Sequence, residues 1–194
     1  MSRNIIAAWL AANIHATEGS VNEQQIGWFM DWLNKPDGAP VHTILEIGFN
    51  GGLSAATFLA ARPNTRVVSV DLGAHEYVLK AKTWLDNLFP GRHQLIIGDS
   101  KNVLPVWELY FKDGKFDMIF VDGGHDYFTV KLDLENAHKL ARPNTWVILD
   151  DVSESEPEVV RALQEQLKDR KWAVLGQYKC EGRSWVVMKP IAWK

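Results

Sequence analysis

Three aspartates and a histidine in the second half of the sequence are spaced for proton or cation chemistry. Asp122 closes the apolar run FDMIFV, His125 follows three residues later in VDGGHDY, and Asp150 with Asp151 closes TWVIL. If the two runs are neighbouring strands, their ends lie about 4.8 Å apart. Carboxylates so close repel one another, and the arrangement persists only with a proton on one of them or a cation between them. Oxygen donors suit Mg2+, Mn2+ or Ca2+ better than zinc, and no Cys/His set of zinc spacing exists. Asp122, Asp150 and Asp151 are therefore candidate ligands of a divalent cation. The plainer alternative makes them caps and loop-ordering groups. His125, whose ordinary pKa lies near neutrality, is the candidate general base, with a backbone hydrogen bond as its structural alternative. Asp126 reads as the cap of the next helix, and Lys131 and Asp133 as its solvated face.

A second constellation lies upstream, in Glu46-Ile47-Gly48-Phe49-Asn50-Gly51-Gly52-Leu53-Ser54. Glycines let a ligand approach the backbone, Asn50 tolerates a left-handed conformation, and free amides at a helix start hold an anion. The dinucleotide pattern G-x-G-x-x-G fails because Asn50 and Leu53 stand at its second and third glycines, and the phosphate loop fails for want of Gly-Lys-Ser/Thr. Asp71 ends VVSVD, 19 residues beyond Gly52, where a carboxylate can accept from both hydroxyls of a ribose. Asp99 and Ser100 end LIIGDS, where side chains can meet an adenine. Singly, each is most simply a cap or turn residue; together they favour a nucleoside.

These residues need a scaffold that brings strand ends together. From residue 43 onward, short β-branched runs alternate with amphipathic stretches, the pattern of βαβ units on a parallel sheet. Strands are expected at about 43–47, 66–70, 94–98, 116–121, 145–149, 172–178 and 184–189, and helices at about 52–61, 75–88, 101–112, 127–140 and 156–169. Ser155, Pro157 and Glu158 suggest a capping box for the last helix. Only KCEGR separates the final strands, too few residues for a parallel crossover, so they must form an antiparallel hairpin. The fold class is α/β, a Rossmann-like three-layer sandwich with a seven-stranded, mostly parallel sheet. Residues 3–14 and 21–34 read as N-terminal helices, the second with Ile26, Phe29 and Leu33 on one face beside Trp28 and Trp32. They either extend the core or form a lid. LNKPDGAP reads as a loop.

The chain has 194 residues, which bounds it to one domain, with N-terminal helices over 1–40 and a core over 41–194. Its 21 basic and 24 acidic residues include no basic block, which argues against nucleic acid as a partner. No apolar stretch approaches the roughly 20 residues that span a bilayer. Cys180 is the single cysteine, and no secretory signal is evident, so the cytoplasm is the expected compartment. Exposed tryptophans on the N-terminal helices would suggest a homodimer.

The segments LEIGFNGGLSA, VVSVDLG, IIGDS, FDMIFVDGGHDY and VILDD, in this order over residues 43–190, resemble the successive motifs of class I S-adenosylmethionine-dependent methyltransferases. They are most similar to the small O-methyltransferase-like branch, which includes the cation-dependent catechol and caffeoyl-CoA enzymes. The resemblance implies that Glu46, Gly48, Asn50, Gly52 and Ser54 line the methionine half of S-adenosylmethionine, Asp71 its ribose, and Asp99 with Ser100 its adenine. It further implies an O-directed reaction on a small molecule assisted by a divalent cation, although Asp151 stands where that branch carries asparagine and Asn50 where it carries glycine. The alternatives are a non-catalytic S-adenosylmethionine-binding protein and an NAD-dependent oxidoreductase or epimerase.

Overall fold

Valine, isoleucine and leucine dominate the runs expected to pair, and in the computed structural model they do so. Residues 2–15, 17, 19–35, 40–110 and 115–191 are described. The strands are β1 (Thr43–Ile47), β2 (Arg66–Asp71), β3 (His93–Ile97), β4 (Phe116–Val121), β5 (Ala141–Leu149), β6 (Trp172–Cys180) and β7 (Arg183–Pro190). They form one sheet in the order β3-β2-β1-β4-β5-β7-β6. The first five run parallel, and β7 is antiparallel to both of its neighbours, β5 and β6. The order reverses beside β1, so the carboxyl ends of β1, β2 and β4 border the crevice in which open α/β sheets bind ligands.

The helices are α1 (Ser2–Ala11), α2 (Glu23–Leu33), α3 (Leu53–Ala61), α4 (Tyr77–Leu88), α5 (Ser100–Val103), α6 (Trp107–Tyr110), α7 (Tyr127–Leu140) and α8 (Pro157–Lys168). Those from α1 to α4 cover one face of the sheet through Trp9, Phe29, Phe58 and Leu85, and the rest cover the other through Trp107, Leu134 and Leu163. The helix expected over 101–112 is broken into α5, a 3-10 turn carrying Pro105, and α6. Its expected last residues, like the middle of LNKPDGAP, lie outside the described residues. The capping box of α8 does not form. Its N-cap is Glu156 with no side-chain cap bond, while the Ser155 hydroxyl faces that of Ser153 at 2.8 Å.

On α2, Phe29 sits edge-on to Phe58 at 5.1 Å and Phe120 at 5.4 Å, with Ile26 and Leu33 buried beside it. Trp28 meets Trp185 at 5.1 Å, and Trp32 meets Trp146 at the same distance. α2 is therefore core, and Trp28 and Trp32, placed beside its apolar face by the sequence, pack against that core partly buried. No helix among the described residues is long and apolar enough to cross a membrane.

Candidate active site

A cavity of about 450 Å³ opens at the carboxyl ends of β1 to β4, within the range typical of small-molecule sites. Gly48 and Asn50 line it from the β1 loop, Asp71 and His75 from the β2 loop, and Asp99, Ser100 and Lys101 from the β3 end. Asp122, His125 and Asp126 line it from the β4 loop, and Asp151 from the β5 end.

The β1 loop is shaped by left-handed residues, Gly48 at φ +94°, Asn50 at +49° and Gly52 at +74°. A Cβ on Gly48 would fall 1.9 Å from the Asp122 carbonyl oxygen, so this glycine lets the β1 and β4 ends approach each other. Gly51 faces Trp9, Ile14 and Thr17 of the N-terminal segment, and the Trp9 indole donates to its carbonyl at 2.9 Å. Both glycines thus answer first to packing within the protein, a role the ligand-approach argument did not anticipate. Glu46, Gly52 and Ser54 are not among the cavity's lining residues. Glu46 is fully buried beneath the loop, its carboxyl accepting from Ser54 Oγ at 2.6 Å and Ser69 Oγ at 2.5 Å. Burial pushes its pKa up to about 8.

Asp71 accepts from the amides of Phe49 and Asn50 at 2.9 Å each through Oδ2 and from that of Gly73 at 2.8 Å through Oδ1. It therefore braces the glycine loop, and a carboxylate oxygen keeps lone-pair capacity for a further donor. Asp99 caps α5 by accepting from the Lys101 amide at 2.9 Å, and Lys101 Nζ reaches Thr129 Oγ1 at 3.1 Å. Asp126 caps α7 as expected, accepting from the Thr129 amide. Asp133 departs from its expected solvated face. It is completely buried, 3.2 Å from where a Cβ of Gly123 would lie, and burial lifts its pKa to about 6.

Of the three candidate cation ligands, Asp122 and Asp151 converge and Asp150 does not. One ligand atom from each of Asp122, His125 and Asp151 lies within 4.8 Å of the others. Both oxygens of Asp150 instead accept from Gln25 Nε2 of α2, at 2.9 and 2.8 Å. Asp151, left-handed at φ +55°, presents Oδ2 to His125 Nε2 and Oδ1 to Arg183 Nη1, both at 3.1 Å. His125 Nδ1 lies 3.4 Å from Glu156 Oε2. Burial, reinforced by Asp150 and Asp151, drives the Asp122 pKa well up, and burial with the Asp151 charge raises that of Asp150 to about 6. Burial also acts to raise Asp151, but the His125 hydrogen bond and Arg183 outweigh it and hold this carboxyl below its ordinary value. The hydrogen bond to Asp151 raises the pKa of His125.

Gln25, Arg183 and Glu156 were not among the residues singled out in the sequence. Gln25 could have been, as a polar residue four and eight positions before Phe29 and Leu33 on a buried stripe. Arg183, the first residue of β7 and far along the chain, carried no local signal.

A methyltransferase-domain family model matches residues 45–152, from β1 to just beyond Asp151. The O-methyltransferase imqG of Aspergillus flavus is 25% identical over 115 residues, which make up 56% of this chain and 44% of that protein. The chain thus spans less than half the length of that curated relative. Among solved structures, the O-methyltransferase from Bacillus cereus in complex with SAH superposes with a TM-score of 0.77 at 20% identity, over 98% of this chain and 90% of that one. TomG from Streptomyces achromogenes, an O-methyltransferase in complex with SAM, gives 0.76 at 19% identity over 97% and 89%. At such identities the structural likeness concerns the fold. The family match is of another kind, since it takes in more than half of the chain and every strand end lining the cavity, and by it this chain belongs to the methyltransferase-domain family.

Proposed function

We propose that the protein transfers the methyl group of S-adenosylmethionine to an oxygen of a small molecule, with His125 as general base. The observation that carries this reading is that one cavity has Asp71 and Asp99 at one end and the His125–Asp151 pair at the other. Family membership supports it, as do the SAM and SAH bound in the two related structures.

The cradle fits such a cofactor. The left-handed Gly48 and Asn50 shape the loop that lines the cavity, and Gly52, the N-cap of α3, gives the first amides of that helix no side-chain cap. Gly48 and Asn50 would face the methionine part, Asp71 the ribose, and Asp99 with Ser100 the adenine, while Glu46, Gly52 and Ser54 support the loop from beneath. Bound there, S-adenosylmethionine supplies a methyl carbon on a positively charged sulfur, open to in-line attack by an oxygen lone pair. The acceptor hydroxyl must lose its proton. Asp151 orients His125 through Nε2, which leaves Nδ1 as the nitrogen that accepts it once the acceptor displaces the half-exposed Glu156. Asp151 is already engaged by both His125 and Arg183, which leaves Asp122 too few open companions to hold a resident Mg2+, Mn2+ or Ca2+, so proton removal rests on His125.

Calorimetric titration tests the first half of this reading. Micromolar binding of S-adenosylmethionine and S-adenosylhomocysteine and none of NADH is the expected result, and absence of heat with both of the former would overturn it. For the second half, His125→Ala should lower kcat with a hydroxylated acceptor by roughly 10²- to 10⁴-fold while cofactor affinity holds. Because the neutral imidazole is the active form and its pKa is raised, activity should climb with pH through a midpoint above the ordinary histidine value.

A further inference from the structure

We infer that Arg183 is a built-in counter-charge for the acidic cluster and excludes divalent cations from it. The inference rests on the methyl-transfer reading only for its functional meaning; its physical content is a claim about charge.

Three carboxylates at the ends of adjacent strands need compensation, and the structure provides it from within the chain. Asp150 is drawn away toward α2 by Gln25, whose amide donates to both of its oxygens. The left-handed backbone at Asp151 directs its carboxylate to two basic side chains, Arg183 on Oδ1 and His125 on Oδ2. Arg183 is itself held from two sides, because Nη2 donates to the Ser20 carbonyl at 2.8 Å while Nη1 meets Asp151. The side chains of Arg183 and Asp151 are 18% and 12% exposed, so water screens the pair weakly.

A hard divalent ion requires several oxygen donors with open lone pairs. Here it would have to displace a guanidinium that cannot lose its proton and that matches the carboxylate and carbonyl it bridges. A lysine ammonium would give the charge without this fork. The positive charge that other arrangements of carboxylates take from a metal is covalently part of β7.

Mn2+ titration of the full chain, followed by electron paramagnetic resonance with S-adenosylhomocysteine at saturation, tests the inference. Wild type should leave the free-ion signal unchanged up to millimolar Mn2+. Arg183→Ala should gain one Mn2+ site, and adding Asp151→Asn should abolish it. Submillimolar binding of Mn2+ by the wild type would overturn the inference, as would a folded Arg183→Ala protein that gains no site. If Arg183→Ala fails to fold, Arg183→Lys, which keeps a charge but not the fork, takes its place and should bind Mn2+ more weakly than millimolar; tighter binding would count against the inference. Failure of the cofactor reading would show separately, as absence of S-adenosylhomocysteine heat with an unaltered metal result.

Discussion

Glu46 is the acid of β1, and β1 lies between β2 and β4 at the middle of the sheet. A carboxyl there has no water to ionise into, so its pKa of about 8 is a statement about stability. Between the ordinary value of about 4.5 and about 8, the folded protein holds a proton that the unfolded chain has released. Stability should therefore fall as pH rises through that window, by an upper bound on the order of 5 kcal/mol at about 1.4 kcal/mol per unit. Glu46→Gln keeps the hydrogen-bonding shape without the ionisation. Denaturant unfolding at pH 5 and pH 9 should show the variant gaining on wild type only at the higher pH; an equal offset at both would dismiss the explanation. Glu46 also marks a limit of sequence reading. Its position in the motif suggested a ligand contact, whereas register with Ser69 and Phe120 places it under the loop. Asp133 was misread for a related reason. Helical spacing says which residues share a face, and only packing against Gly123 says that this face is buried.

Among the elements, β1 to β4 and α3, α4, α7 and α8 were legible to within about two residues, because apolar runs of period two and helices of about 10 to 14 residues leave few alternatives, whereas β5 begins at Ala141, four residues before its expected start. The closing hairpin followed from loop length alone. Of what was missed, the break at Pro105 and the turn of the Ser155 hydroxyl toward Ser153 are local effects, whereas the association of α2 with Asp150 depended on a partner 125 positions away. The glycine loop lies between these cases. Its position and the left-handed Asn50 were readable, but what each glycine faces was not. Gly48→Ala brings a Cβ onto the Asp122 carbonyl at a φ that side chains resist, so a loss of at least about 2 kcal/mol is expected. Thermal denaturation should report it, together with weakened S-adenosylhomocysteine binding. An alanine variant as stable and as competent as wild type would mean that the β1 and β4 loops are not held so close.

At the scale of the whole molecule, the N-terminal segment ties the two halves of the cavity together. Trp9 bonds to the glycine loop, Gly19 lines the cavity, and Ser20 anchors Arg183. Trp9→Phe keeps most of the apolar area but leaves the Gly51 carbonyl without its donor, so about 1 to 2 kcal/mol of stability should go. Chemical denaturation measures this directly, and an unchanged midpoint would show that the bond contributes nothing. The sheet order adds a consequence in time. A ribosome delivers β6 before β7, yet β7 is the strand that lies against β5. Until β7 has emerged and inserted, β5 presents a bare edge of the kind that recruits foreign strands, and the pairing that covers it joins residues about 40 positions apart. Arg183 heads that inserting strand, so Asp151 meets its guanidinium in the same event that closes the sheet. A nascent molecule stalled before that event would carry mutually repelling carboxylates and an unfinished cavity, which makes competence for chemistry a late and abrupt acquisition during folding.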